Sequence, residues 1–487
     1  MADNAPDLVT RFAMVRQSGP HRILIHAPGA GVDLSADDLW HAHQRYAGRL
    51  TAIGVGRGDL VISAAGNSAA SAALLLACRA VDAALMPADV ATTRTQLLSM
   101  AEQFGATAIV LRDASNDDDP RLDPDRTTLL DHGLRLSPIR DTERRCYPGI
   151  AVLKLTSGST GAPKAALQTE AQLTIDSVQI AAAMGIGPSD VQIATIPVSH
   201  AYGLGNLLVN LLLQGTPIVL RDSFVPPQLQ ADARQFGASV FQGVPFMFQY
   251  FLSTALADGW PSSLTTLVSA GAPLPTATVR GFHDRFGLKI HSFYGSSEAG
   301  GICLDDGDEI DDSGTVGRPI AGVTVTLRDE DDIKGRIHVA SPAVATGYTQ
   351  GSEDAFVDGG FLTGDYGSWD ETGRLMLTGR VSSFVNVAGQ KVRPGEVEDV
   401  LKAMPGIVDA SVVGAEDPRR GEQIVACVVV EHQGSLSALA VRRHCAARLA
   451  PHKVPRAIVF VDEMPVTARG KIDRAALAGI IRARLCL

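Results

Sequence analysis

The stretch "LTSGSTGAPKAA" from Leu155 to Ala166 gathers glycines, hydroxyls and one lysine into a single short segment. Successive small residues let backbone N–H groups turn inward around an anion, and Ser and Thr hydroxyls add further donors. A lysine at the rim supplies a compact positive charge. The chemistry that suits this combination is phosphate binding. Gly158, Gly161 and Lys164 do not have the spacing of the G-x-x-x-x-G-K-[S/T] loop, so a flexible surface connection stands as the alternative. The acidic run "DDGDEIDDSG" at 305–314 lacks EF-hand spacing and reads as a solvated loop rather than a calcium site.

These residues need a scaffold to bring them together. The loop follows Ile150 to Leu155, which alternates as a strand does. Upstream, "LSADDLWHAHQRYAGRLTAIGV" predicts a helix with Ser35 as N-cap, because Leu39, Ala42, Tyr46 and Leu50 recur at helical spacing. "DLVISAAG" reads as a buried strand and "SAASAALLLACRAVDA" as a buried helix. The same order returns in "VQIATIP" before Tyr202 to Gln214, "TPIVL" before Gln228 to Phe236, and "LTTLVSAGAP" before Thr276 to Phe286. That rhythm belongs to layered α/β sheets. A second unit begins after Gly379–Arg380. Its first helix lies in "PGEVEDVLKAMPG", with Val397, Val400, Leu401 and Met404 on one face, and Pro405–Gly406 ends it. "DASVVGA", "QIVACVVVEH" and "AIVFVDEMP" supply strands, so three strands and three helices are expected in a small α+β domain.

Composition bounds the function. The chain has 487 residues, 45% hydrophobic and 20% charged, which suits a globular protein of two or three domains. A net charge of -10 argues against a general nucleic-acid surface. The six cysteines show no C-x-x-C pair and no metal spacing, as expected of reduced thiols in a cytoplasmic protein. No apolar signal core opens the sequence, and runs such as "AALLLAC" are too short to span a bilayer.

Read in order, the segments "LTSGSTGAPKAA", "IPVSHAYGLG", "VSAGAPL", "YGSSEAGG", "GTVGRPIAG", "TGDYG", "LTGRVSSFVNVAGQKVRPGEVE" and "PVTARGKIDRAAL" resemble the adenylate-forming superfamily. That superfamily comprises acyl-CoA synthetases, luciferases and nonribosomal-peptide adenylation domains. The resemblance runs from about Leu34 to Leu477. It implies a large N-terminal domain of layered sheets and helices, residues 1–380, and a small mobile α+β C-terminal domain, residues 381–487. It also implies an activity: ATP and a carboxylic acid give an acyl-adenylate and pyrophosphate, and coenzyme A then takes the acyl group. Loading of a carrier-protein phosphopantetheine is the alternative, and a non-catalytic ligand-binding member is a third. The implied form is a monomer or homodimer.

The resemblance also implies roles. Ser157, Ser159, Thr160 and Lys164 would cradle the β- and γ-phosphates, in a nucleotide-binding set that also takes in Thr156, Gly158, Gly161, Gly295 and Ser297. Glu298, with Thr160 nearby, would hold Mg²⁺, a pairing of hard oxygens with a hard cation. Tyr294 would stack near adenine, with Gly271 and Ala272 lining the base pocket. Asp365 would accept both ribose hydroxyls, and Arg380 would reach ribose and phosphate. Lys471 would bridge the acyl carboxylate and α-phosphate during adenylation. His200, Tyr202, Asn206, Gly243, Ala270 and Gly301 would line the acyl pocket, where the glycines make room. Gly389 would line the pantetheine tunnel, and Ser382 is the hinge. A buried structural tyrosine at 294 and a core histidine at 200 are the competing readings. Amino-acid-activating relatives place an aspartate where this chain has Ala201, so an acid without an α-amino group is expected, because a buried ammonium needs a carboxylate partner. The chain departs from the family pattern at Ala165, Gly301 and the serines 382 and 383, none of which removes a catalytic group.

Overall fold

In the computed structural model, residues 6–485 are described except 113–118, 141–142, 157–163, 255, 257–258, 311–312, 329–333, 351–352, 381–384, 388–389, 393, 418–420, 433, 435, 450 and 467–471. The chain divides into two units. The larger comprises Met1–Thr326, His338–Leu362 and Gly373–Leu375; the smaller comprises Leu327–Ile337, Thr363–Thr372 and Met376–Leu487.

Two sheets organise the larger unit. Among the described residues the first has nine strands. Its interior strands Ile23–Ala27, Ile218–Leu220, Gln192–Ala194, Val240–Gly243, Thr266–Ser269 and His291–Ser296 run parallel side by side. The second has eight strands and places Ile150–Thr156 between Ala84–Pro87 and Lys164–Thr169. The helix Ser71–Ala80 is buried on every side over residues 71–78, as its almost wholly apolar run of Ala, Leu and Cys allows. It shares the main core with Ala36–Ala52 and with strands of both sheets. The helix Ala36–Ala52 starts at Ser35, whose hydroxyl accepts from the Asp38 N–H while the Asp38 carboxylate accepts from the Ser35 N–H, at 3.2 and 2.9 Å.

In the smaller unit the helix Pro394–Lys402 buries Val397 and Leu401. Its sheet holds Ile407–Asp417, Gly421–Val430 and Ala457–Phe460, as expected, together with the hairpin Val385–Val387 and Gln390–Val392. Two three-residue strands around a glycine carry no legible alternation, which is why the expectation of three strands falls short by two. Among the described residues no helix is long and apolar enough to cross a membrane.

Candidate functional site

Parallel strands in an open α/β sheet end at one edge, and ligands gather outside their carboxyl ends. The nine-stranded sheet brings several of the expected residues of the larger unit to that edge. Gln192–Ala194 leads to His200, Val240–Gly243 ends in Gly243, Thr266–Ser269 runs into Ala270, Gly271 and Ala272, and His291–Ser296 contains Tyr294. Gly243 and Ser269 are register partners, and the Ala270 N–H donates to the Gly243 carbonyl at 3.1 Å.

"YGSSEAGG" folds as a hairpin. Gly295 pairs with Gly301 and Ser296 with Gly300, which leaves Ser297, Glu298 and Ala299 as the turn. The Ser296 hydroxyl accepts from the Ala299 N–H at 3.0 Å and closes it. Glu298 is held at both ends. Its carbonyl accepts from the Ala345 N–H at 2.7 Å, and its Oε1 accepts from the Tyr348 hydroxyl at 2.7 Å. Burial, then the neighbouring Glu298 carboxylate, push the Tyr348 phenol well above its usual pKa, so it stays a donor.

Tyr348 also joins this turn to the phosphate-loop candidate. The strands Ile150–Thr156 and Lys164–Thr169 are antiparallel, with Thr156 opposite Lys164, and the Thr156 hydroxyl donates to the Lys164 carbonyl at 3.2 Å. Tyr348 pairs with Ala166 in the next strand, and the Lys164 ammonium stands 3.8 Å from the centre of its ring. A cation and a carboxylate are thus held on one tyrosine, beside the two residues that flank the 157–163 segment. That segment itself, with Ser157, Gly158, Ser159, Thr160 and Gly161, lies outside the described residues, as do Ser382, Gly389 and Lys471.

The expected acyl-pocket residues show a different pattern. Tyr202 stacks with Phe293 at a centroid separation of 6.2 Å, and burial raises its pKa. His200 presents Nε2 3.9 Å from an Asp89 carboxylate oxygen. Asn206 is buried and donates to Gln242 at 2.8 Å; Gln242 donates to Gln192 at 2.7 Å. The glycines do not open space in the Cβ direction. A Cβ on Gly243 would stand 3.0–3.1 Å from the Phe248 and Phe241 rings, and one on Gly301 would stand 2.7 Å from Ile180. Side-chain packing already fills the room that the sequence was expected to leave there.

Asp365 lies in the smaller unit, buried in the strand Gly360–Trp369, where its N–H donates to the Thr363 hydroxyl at 3.0 Å. Arg380 closes the strand Leu375–Arg380.

Several residues escaped sequence reasoning. Tyr348 sits in "TGYTQ" with no chemical signature of its own. Asn67 is buried and binds four backbone groups: its amide nitrogen reaches the carbonyls of Ala194, Ile196 and Arg221, and its oxygen accepts from the Val198 N–H at 2.9 Å. It thereby fixes the segment leading to His200. Lys154 and Asp176 form a buried pair with Nζ–Oδ2 at 3.7 Å. A lysine inside the apolar run "IAVLKL" was the available signal for that pair.

Residues 12–349 match the family model described as AMP-binding enzyme, and residues 396–471 match the one described as AMP-binding enzyme C-terminal domain. A feruloyl-CoA synthase of Amycolatopsis sp is 29% identical over 483 residues, 96% of each chain. A sulfoacetate–CoA ligase of Cupriavidus necator is 30% identical over 340 residues, 67% of this chain and 66% of that one. Among solved structures, ATP-bound MatB from Rhodopseudomonas palustris has a TM-score of 0.77 at 25% identity, covering 97% of this chain and 99% of that one.

Proposed function

We propose that this chain, which belongs to the AMP-binding enzyme family, is an AMP-forming acid–thiol ligase with coenzyme A as the acceptor. A carboxylate oxygen of the acid attacks the α-phosphorus of ATP, the bond to pyrophosphate breaks, and the thiol sulfur then displaces AMP from the acyl carbon. The observation that carries this reading is the Lys164–Tyr348–Glu298 arrangement beside the 157–163 segment. The names of the relatives, which are those of coenzyme A ligases, agree with it.

The donor set suits Mg²⁺, which takes one or two protein carboxylates and completes its shell with phosphate oxygens and water. Among the described residues no group of three or more His, Cys, Asp or Glu is arranged for a metal, which fits a cation held chiefly by its substrate. Glu298 and Thr160 would be its protein ligands, and when bound it would neutralise phosphate charge.

The chain's own residues do the rest. Lys164, steadied on Tyr348, orients the terminal phosphates, and the Tyr348 hydroxyl fixes the Glu298 carboxylate. Tyr294, Gly271 and Ala272 receive the base; Asp365 and Arg380 hold the ribose. The functional division falls at residues 380 and 381. Lys471 stabilises the charge gathering at the α-phosphate, and rotation at Ser382 exchanges it for Gly389 and the thiol. With Ala201 in place of a carboxylate, the acid is an aryl, cyclic or short to medium alkyl acid without an α-amino group. The setting is the cytoplasm, where ATP and coenzyme A are available.

The test is a panel of carboxylic acids scored by pyrophosphate release with and without coenzyme A, with mass spectrometry of the product. Acyl-CoA from a simple acid supports the reading. Transfer only to a carrier-protein phosphopantetheine would correct the acceptor, and no pyrophosphate from any acid would reject the whole. With the active acid, Glu298→Gln should lower adenylation about a hundredfold or more, the scale of lost electrostatic stabilisation.

A further inference from the structure

Lys154 lies in the strand that enters the 157–163 segment, and Asp176 lies on the helix Glu170–Ala183. Their side chains are 2% and 3% exposed. Among the described residues the Lys154 ammonium makes no hydrogen bond, and its approach to Asp176 is a longer ion pair. Burial drives its pKa down; Asp176 first, then Glu298, support its charge. Such a pair is a weak source of stability, because desolvation offsets the attraction. Its presence calls for another account.

Asp176 supplies one. Its Oδ1 accepts from the Gly301 N–H at 2.9 Å, three residues past Glu298. Gly300 has φ +73°, and a Cβ there would stand 2.1 Å from the same oxygen. The carboxylate therefore occupies a hollow that only glycine leaves open. Its other oxygen lies against Gly205, and the adjacent Ser177 hydroxyl donates to the Gly205 carbonyl at 2.9 Å. One turn of helix thus braces both the Glu298 hairpin and the segment Leu204–Val209.

We propose that Lys154 and Asp176 are positioning residues for the Glu298 turn: the carboxylate holds the Gly300–Gly301 backbone, and the lysine holds the carboxylate. The kinetic consequence rests on the proposed role of Glu298; the structural one does not.

Two double variants separate position from charge. Lys154→Met/Asp176→Asn removes both charges but keeps an oxygen for the Gly301 N–H. Lys154→Met/Asp176→Leu removes both charges and the acceptor. Measurements are the thermal midpoint, hydrogen exchange over residues 299–302, and kcat and KM for pyrophosphate release. The Asn pair should keep slow exchange and a kcat within about threefold of the parent. The Leu pair should exchange at least about tenfold faster at 299–302 and lose about tenfold in kcat, with KM for the acid changed less. If leucine is too large for the hollow and the chain does not fold, Lys154→Met/Asp176→Ala makes the same comparison. The proposal is overturned if the acceptor-free pair, folded, exchanges and turns over like the Asn pair. It is equally overturned if the Asn pair loses turnover while its exchange stays slow. If the parent protein releases no pyrophosphate with any acid, the functional reading fails, and exchange alone decides the positional one.

Discussion

The larger unit buries two polar clusters of opposite kind. Asn206, Gln242 and Gln192 are neutral amides, and each hands a hydrogen bond to the next. Lys154 and Asp176 are charges, and the ammonium donates to no group among the described residues. An amide carries both a donor and an acceptor, so a chain of amides can close on itself without net charge. A carboxylate only accepts, and one with a cation behind it grips a backbone N–H more strongly than an amide does. The first cluster suits a wall whose internal spacing must hold; the second suits a single peptide group that must not turn. The difference shows that burial of polar groups has two uses in this fold, with different penalties when broken.

The sharpest way to break the comparison is Asp176→Ala, which leaves the buried ammonium alone. A loss of about 3–5 kcal/mol is expected, read as a fall in the urea midpoint. A parental midpoint would mean that Lys154 carries no charge in the fold. Next comes Gln242→Leu, which strands the Asn206 amide and the Gln192 oxygen. About 1–3 kcal/mol should be lost by the same measurement, less than at Asp176, because no charge is left unpaired. If the order reverses, the distinction between the clusters is wrong.

Tyr348→Phe tests an intermediate case, a neutral hydroxyl serving a charge. The ring that carries Lys164 remains, so the fold should persist, while kcat for pyrophosphate release falls about tenfold. The smallest effect belongs to a helix cap. Ser35→Ala should cost about 1 kcal/mol through loss of the cap. The hydrogen bonds from the Ser35 side chain, then its backbone, lower the Asp38 pKa below its usual carboxylate value. That contribution is present above the ordinary carboxylate range and is lost as pH falls through the folded pKa. Stability profiles of parent and variant should therefore converge in acid, and parallel profiles down to low pH would remove Asp38 from the account.

Legibility in the sequence followed the range of the interaction. The Ser35 cap and the helix after it were readable because capping chemistry spans three residues. Lys164, Tyr294 and Glu298 were legible as candidates because each sits inside a short motif. Tyr348 was not, because the carboxylate it serves lies fifty residues earlier. Lys154 is a visible anomaly in an apolar strand, yet nothing near it names Asp176 as its partner. The glycines at 243 and 301 were read as open space, since one sequence does not reveal which aromatic and aliphatic side chains turn toward them.

Asn67 has a consequence for the order of folding. The groups it binds lie 127 to 154 residues away, at or just past the ends of two strands that must already be aligned before one side chain can reach them all. Contacts of such long range form late, because chain closure has to precede them. The segment leading to His200 is therefore expected to mature later than the strand that precedes it. In pulse-labelled hydrogen exchange, the Val198 amide should gain protection after the amides of the strand Gln192–Ala194. Freshly synthesised chains would pass through an interval in which the sheet is built and the site is not.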